Sequence, residues 1–309
     1  MSSKIAFVFP GQGSQALGMS ADLAESHSIV KELYSEASDV LGVDLWTLCQ
    51  SGPIEELSKT ENTQPALLTA GVAAYRCWQS AGGAVPSVMA GHSLGEYTAL
   101  TCAGAIQFAD AVSLVRDRGR YMQSAVPAGK GGMAAILGLD EDQVRSICDA
   151  TSTADEIVQA VNFNAPGQVV IAGSTAGVEK AIEALKSAGA KRAMALPVSI
   201  PAHSALMTPA AEALKTRIDS VAMELPQVPV IHNCNLSVAS TTDELRANLV
   251  TQLNSPVRWV ETIEQMTATG VTDYIESGPG KVLCGMIKRI SKEANANAID
   301  TAEQINNLV

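Results

Sequence analysis

The feature that most constrains the fold is a serine between two glycines, Gly91-His92-Ser93-Leu94-Gly95. It lies between a short β-prone run, residues 87–90, and a helix-like segment, residues 96–103. Flanking glycines permit a turn sharp enough to expose the serine hydroxyl, and the next N–H and the helix N-terminus face a developing oxyanion. This strand–turn–helix context predicts an α/β fold with Ser93 as a nucleophile. A tight glycine turn around an ordinary serine is the competing interpretation.

A second unit is predicted between residues 131 and 197. Strand-like runs at 133–137, 157–163, 168–172 and 193–196 alternate with two helical segments, one capped by Asp140 and one ended by Gly189. The order β-α-β-β-α-β is the ferredoxin-like motif. We therefore expect an inserted small domain at 131–197, inside a layered α/β domain that begins with a strand at 4–9.

Composition excludes several classes of protein. Hydrophobic residues make up 47% and charged residues 17% of the 309 positions, as in globular proteins. The net charge of -11, without any Lys/Arg-rich run, argues against nucleic acid and membrane surfaces as partners. The longest apolar stretch, residues 66–75, is well short of the roughly 18 residues that a membrane helix needs. Six isolated cysteines predict reduced thiols and no metal site in a cytoplasmic protein.

A serine nucleophile needs a base, and the chain has four histidines. His27 lies in a polar helix, and His92, next to the serine, should point away from it. His203 follows a proline turn before a helix, downstream of the serine, whereas His232 lies on a strand that we expect to be buried. The pattern favours His203 and leaves His232 open. No carboxylate between serine and histidine stands out, so either a backbone carbonyl orients the base or this is not an ordinary esterase triad.

One arginine is predicted to point into the protein. Arg118 lies within the apolar stripe of a helix over residues 108–122, whereas Arg116 and Arg120 are turned about 200° from it and should be solvated. Because an unpaired buried charge is costly, Arg118 requires an anion. That anion is either an internal carboxylate or a carboxylate of a substrate.

The loop after the first strand, residues 11–16, fits the dinucleotide fingerprint G-x-G-x-x-A. That fingerprint requires a second strand ending in an acidic residue about 20 positions later, but residues 21–41 have a helix and loop pattern. Nucleotide binding is therefore disfavoured. The loop could instead bring Gln12 beside Ser93 as an oxyanion donor, or it could be a plain turn.

Several of these stretches together resemble the bacterial malonyl-CoA:acyl-carrier-protein transacylases. They are residues 9–15, 91–96, 162–173, 198–204 and 278–280, so the resemblance extends over nearly the whole chain. It implies an α/β hydrolase-like domain of residues 1–130 and 198–309, with the ferredoxin-like domain of residues 131–197 inserted into it.

The resemblance also implies roles for individual residues. The nucleophile falls on Ser93, the base on His203, and the arginine that binds the malonyl carboxylate on Arg118. The oxyanion hole falls on the backbone N–H groups of Gln12 and Leu94, and the carbonyl that orients the histidine falls on Gln252.

The implied activity is ping-pong transfer of a malonyl group from malonyl-CoA to acyl carrier protein, by a cytoplasmic monomer without a cofactor. Carrier proteins of this pathway are acidic, so a local basic patch must offset the net charge of -11. Lys191 and Arg192 are candidates for that patch, although two solvated surface cations would give the same pattern. Two other classes of function remain: a serine thioesterase or esterase of the α/β-hydrolase type, and a scaffold that binds coenzyme A esters without turnover.

Overall fold

The computed structural model describes residues 4–309. The strands are β1 (Lys4–Phe9), β2 (Val88–Gly91), β3 (Gly131–Leu137), β4 (Val158–Ala165), β5 (Gln168–Ser174), β6 (Arg192–Ala195), β7 (Val230–Ile231), β8 (Val271–Glu276) and β9 (Asn295–Ala298). The helices are α1 (Ala21–Ser26), α2 (Ser28–Leu41), α3 (Leu45–Ser51), α4 (Ile54–Leu57), α5 (Thr60–Ser80), α6 (Leu94–Cys102), α7 (Phe108–Ala125), α8 (Glu141–Thr151), α9 (Thr175–Ser187), α10 (Thr208–Asp219), α11 (Thr242–Gln252), α12 (Trp259–Ala268), α13 (Val282–Ile290) and α14 (Ala302–Asn306).

The larger sheet has five parallel strands within the described residues, in the order β7-β2-β1-β8-β9. In parallel sheets the carboxyl ends of the strands share one edge, and ligands bind outside that edge. Phe9 at the end of β1 pairs with Gly91 at the end of β2. The glycine loop after β1 and the serine turn after β2 therefore lie side by side, and the α/β prediction is confirmed.

Strand β1 is at the centre of this sheet and is apolar on both faces. Phe7 faces helix α5, with its ring 5.1 Å from Tyr75 and 5.5 Å from Trp78. Ala6 and Val8 lie in a different apolar cluster. Burial on both faces explains why β1 is a continuous hydrophobic run and not an alternating one.

The smaller sheet is antiparallel, with the order β4-β5-β3-β6. Helices α8 and α9 pack against β3, β4 and β5, and α8 begins with the Asp140–Gln143 capping box. This order is the one that the ferredoxin-like motif requires, so the predicted fold class is confirmed. The domain limits at residues 131 and 197 stay a prediction.

Backbone hydrogen bonds join strand β4 of the smaller sheet to the segment between helices α11 and α12. Phe163 N–H donates to Val257 O at 3.0 Å, and Val257 N–H donates to Val161 O at 2.8 Å. The helix expected after His203 begins with a 3₁₀ turn (Ala205–Met207) and continues as α10, because Pro209 starts a new helix more readily than it continues one. No helix of residues 4–309 is long and apolar enough to cross a membrane.

Candidate active site

The serine turn has the strained geometry that the flanking glycines allow. Ser93 has φ 52° and ψ −106° and immediately precedes helix α6. A Cβ at Gly91 would lie 1.8 Å from the carbonyl carbon of Gly95, and one at Gly95 would lie 2.0 Å from Phe9 O. Only glycine fits at both positions, so the packing of β1 against α6 fixes the turn that presents the Ser93 hydroxyl.

His203 is in contact with the serine. Its Nε2 is 2.8 Å from Ser93 Oγ, and its Nδ1 is 2.8 Å from the backbone oxygen of Gln252. Because a carbonyl oxygen can only accept, Nδ1 carries the hydrogen and Nε2 is left to accept the proton of the serine hydroxyl. This is the geometry of a general base held by a backbone carbonyl, as the resemblance implied.

Burial keeps the imidazole neutral. Desolvation, together with the nearby positive charge of Arg118, lowers the pKa of His203 to about 3. At neutral pH the ring is therefore in the unprotonated form that can accept a proton from Ser93.

Arg118 is directed inward, as its place in the apolar stripe predicted, and is 1% exposed. Its Nη1 donates to Gln64 Oε1 at 2.9 Å, and its Nη2 donates to Gln252 Oε1 at 3.0 Å and to Ser93 Oγ at 3.2 Å. Burial lowers its pKa. Within residues 4–309 no carboxylate forms an ion pair with Arg118. The internal ion pair that would have explained its burial is thus not found.

The other two arginines of helix α7 differ from each other. Arg120 is exposed and pairs with Glu61 at 2.9 Å, as expected of a solvated residue. Arg116 is only partly exposed, and its Nη1 donates to Leu41 O at 2.7 Å. The prediction of a solvated Arg116 was wrong because the end of helix α2 packs beside this turn of α7, a contact that helical periodicity cannot show.

Two backbone N–H groups near the serine have no acceptor among the described residues, those of Gln12 and Leu94. The loop after β1 lies against the serine turn, since a Cβ at Gly11 would be 2.5 Å from His92 O. The Gln12 side chain is turned away to Thr60, at 3.2 Å. Both N–H groups are therefore available to bind an oxyanion.

A buried polar network supports the serine from behind. The Asn233 side chain accepts from Ser93 N–H at 2.7 Å and donates to Gly91 O at 2.7 Å. Glu96 accepts from Asn233 N–H at 2.9 Å and lies 2.7 Å from His232 Nδ1. His232 thus contacts Glu96 and not Ser93, which leaves His203 as the histidine placed to act as base.

Sequence reasoning missed Asn233, Glu96 and Gln64. Glu96 had a local signal, because it stands one turn after Ser93 on the helix that the serine begins. Gln64 and Asn233 had none, since both reach the site through tertiary contacts across 54 and 140 positions.

A cavity of about 390 Å³ opens over the serine, between the loops that follow β1 and β2 and the antiparallel sheet. Its walls include Arg118 and His203 from the larger part, and Met133 and Val170 from the antiparallel sheet. His92 also lines the cavity, but its Nε2 bonds Asn164 Oδ1 at 2.8 Å and not Ser93, as expected. Lys191 and Arg192 are exposed and are not among the residues that line the cavity. They stay candidates for docking only.

Comparison with known proteins places the chain in a family. The model of the acyl transferase domain family matches residues 6–306. The malonyl CoA-acyl carrier protein transacylase of Escherichia coli K12 is 54% identical over 298 residues, which cover 96% of each chain. The solved structure of an acyl carrier protein S-malonyltransferase from Vibrio cholerae matches with a TM-score of 0.97 and 51% identity. The match covers 99% of this chain and 100% of that chain.

A second solved structure shows a related enzyme with its partner. It is a malonyl-transacylase in complex with a type II PKS acyl-carrier protein, with a TM-score of 0.97 and 51% identity over 99% of both chains. Family model, relatives and structures all span nearly the full length described. This chain belongs to the acyl transferase domain family and, within it, to the malonyl CoA-acyl carrier protein transacylases.

Proposed function

We propose that this enzyme transfers a malonyl group from malonyl-CoA to the phosphopantetheine thiol of acyl carrier protein in fatty-acid biosynthesis. The observation that carries the proposal is Arg118, a buried cation without an ion-pair partner among residues 4–309 that reaches Ser93 Oγ at 3.2 Å. A carboxylate on the acyl group supplies the missing anion beside the nucleophile.

In the first half of the reaction, Ser93 Oγ attacks the thioester carbonyl while His203 Nε2 takes the hydroxyl proton. The N–H groups of Gln12 and Leu94 stabilise the oxyanion. When the tetrahedral intermediate collapses, the C–S bond breaks, the coenzyme A sulfur takes the proton from His203, and malonyl-Ser93 remains.

In the second half, the carrier's thiol gives its proton to His203 and attacks the malonyl ester carbonyl. The C–O bond to Ser93 breaks, and the serine oxygen recovers the proton from His203. The enzyme is restored without a cofactor, and the base acts in both directions.

Arg118 supplies the selectivity in this scheme. A malonyl carboxylate pairs with the guanidinium, whereas an acetyl group enters the site without neutralising it. Neutral acyl groups are therefore rejected by lost binding at Arg118, not by size.

The intact mass of the protein after brief exposure to malonyl-CoA, and separately to acetyl-CoA, tests this function, with Ser93→Ala as control. We expect a malonyl adduct that requires Ser93, forms poorly with acetyl-CoA and disappears when carrier protein is added. Discharge by buffer alone at the same rate would favour the serine thioesterase or esterase alternative, and no adduct would favour a binding scaffold.

We also propose that Lys191 and Arg192 contribute to docking of the acidic carrier and that the enzyme acts as a cytoplasmic monomer. Reversing both charges to glutamate should raise the KM for the carrier and leave the KM for malonyl-CoA unchanged. Equal KM values for the carrier before and after the change would remove these residues from the docking surface.

A further inference from the structure

The guanidinium of Arg118 is held by side chains that carry no charge. Gln64 Oε1 accepts from Nη1 at 2.9 Å, and Gln252 Oε1 accepts from Nη2 at 3.0 Å. Both glutamines are buried. A carboxamide oxygen orients a guanidinium as a carboxylate oxygen does, but it adds no negative charge. The charge of Glu96 raises the pKa of Arg118, but burial outweighs it and the pKa is lowered. The two glutamines therefore fix the position of Arg118 without neutralising it.

The only strong side-chain hydrogen bond of Gln64 among residues 4–309 is the one that its Oε1 accepts from Arg118. Among residues 4–309 its amide nitrogen has one hydrogen-bond partner, the weakly accepting Met122 Sδ at 3.5 Å. Next to Arg118, a Cβ at Gly119 would lie 2.9 Å from Glu61 Cα, so helices α5 and α7 approach closely at this level. The short distance between the helices lets a side chain of the length of glutamine reach Nη1. A glutamate has the same length and shape, and its carboxylate would occupy the same position.

We propose that Gln64 is a specificity-determining residue, because its neutral amide positions Arg118 while keeping the guanidinium charge available to an acyl carboxylate. The inference rests on the proposed function, since it takes Arg118 as the contact for the malonyl carboxylate. A carboxylate at position 64 would pair with Arg118 permanently. The carboxylate of a malonyl group would then lie beside a neutral ion pair and would be repelled by the glutamate. An acetyl group has no charge and would not be repelled.

The test is the rate of Ser93 acylation by malonyl-CoA and by acetyl-CoA in Gln64→Glu, with Gln64→Met as the matched control. Methionine has a similar length but neither charge nor a strong acceptor. We expect the malonyl-to-acetyl ratio of kcat/KM to fall about 10²-fold or more in Gln64→Glu, since one charged contact is lost to one substrate only. In Gln64→Met both rates should fall while the preference for malonyl persists, because Arg118 keeps its charge.

Arg118→Ala in the same assay separates this inference from the proposed function. If Arg118→Ala keeps the malonyl preference, the proposed role of Arg118 fails. If Arg118→Ala loses the preference and Gln64→Glu retains it, the role of Gln64 is overturned.

A second variant covers the case in which Gln64→Glu does not fold or acylates with neither substrate. Gln252→Glu places the carboxylate on Nη2 instead. It loses the bond from Gln252 Nε2 to Ser93 O, at 3.0 Å in this structure, but that loss slows both substrates alike. The ratio should again move toward acetyl, and a ratio unchanged in that variant would overturn the inference.

Discussion

The histidines on the two sides of Ser93 have different hydrogen-bond partners. In front of the serine, Nδ1 of His203 contacts the backbone oxygen of Gln252 at 2.8 Å. Behind it, Nδ1 of His232 contacts the carboxylate of Glu96 at 2.7 Å. The histidine with the carboxylate partner is therefore not the one that reaches the nucleophile. A carboxylate beside a histidine does not by itself identify the base of a serine enzyme.

Charge explains why the partners are distributed in this way. A carboxylate behind His203 would place a negative charge near Arg118 and repel the carboxylate of a malonyl group. A carbonyl oxygen gives the same orientation without that charge. On the far side Glu96 is not among the residues that line the cavity, and its effect on the pKa of Arg118 is smaller than that of burial. It accepts from the backbone of Asn233, whose side chain in turn accepts from Ser93 N–H. The four predictions below test this contrast between the two sides.

The largest effect is expected from the two histidines themselves. His203→Ala should lower the rate of Ser93 acylation about 10⁴-fold or more, since the hydroxyl loses its base. His232→Asn keeps a donor in the place of Nδ1, so it should stay within about tenfold of the wild-type rate. Single-turnover acylation by malonyl-CoA measures both. Equal losses in the two variants would contradict the assignment of separate roles.

Asn233→Ala should slow acylation about 10²-fold with little change in KM, because the serine turn loses the contacts that aim Oγ at His203. Asn235→Ala is the matched control, since Asn235 belongs to the same loop and bonds Ser237 and Asn248 instead of the serine turn. The two variants are compared by kcat, KM and thermal unfolding. If both lose stability equally and neither loses kcat, Asn233 supports only the fold.

Glu96→Gln should destabilise the protein by about 1–3 kcal/mol, because a carboxamide oxygen can accept from only one of the two donors that the carboxylate binds. His232 Nδ1 and Asn233 N–H are those donors. Denaturant unfolding measures the change in free energy. An unchanged free energy of unfolding would show that the network behind the serine does not contribute to stability.

The smallest effect is expected from pH. Burial lowers the pKa of His203 to about 3, so its neutral form should persist as pH falls below the ordinary histidine value of 6.5. Between pH 7 and pH 5.5, kcat/KM for malonyl-CoA should change less than about threefold, whereas an unperturbed histidine would lose about tenfold. An acid limb with a midpoint near pH 6.5 would contradict the buried, neutral base.

The same depressed pKa affects stability with a definite sign. His203 takes up a proton in the unfolded chain below pH 6.5 but not in the folded protein until pH approaches 3. The contribution of His203 to stability is therefore complete above pH 6.5 and is lost progressively as pH falls toward 3.

Local pattern was sufficient to predict the turn at Ser93 and the inward direction of Arg118. The strand–serine–helix order and the place of an arginine in an apolar stripe are both properties of fewer than 20 consecutive residues. The β-α-β-β-α-β order likewise predicted the antiparallel sheet, because each of its elements has a clear pattern of its own. The choice between His203 and His232 depended on tertiary contacts, since His203 reaches Ser93 Oγ whereas His232 contacts Glu96. Local pattern cannot show those contacts.

The partners of these residues were not predictable from the residues alone. Asn233 and Gln64 act through hydrogen bonds between distant segments, and a buried Asn or Gln has the same local pattern whatever it contacts. The contact of the Gln252 backbone oxygen could not be predicted from side chains either, since every residue has a backbone oxygen. The resemblance to a known family supplied that contact.

The antiparallel sheet provides part of the cavity wall but none of the side chains that contact Ser93 Oγ. Met133 and Val170 lie on that wall, whereas Ser93, His203 and Arg118 all belong to the other part of the chain. This part of the wall and the groups around the serine hydroxyl are therefore encoded in separate segments. Recombination of the segment from β3 to β6 between homologues should change that wall while Ser93, His203 and Arg118 are inherited intact.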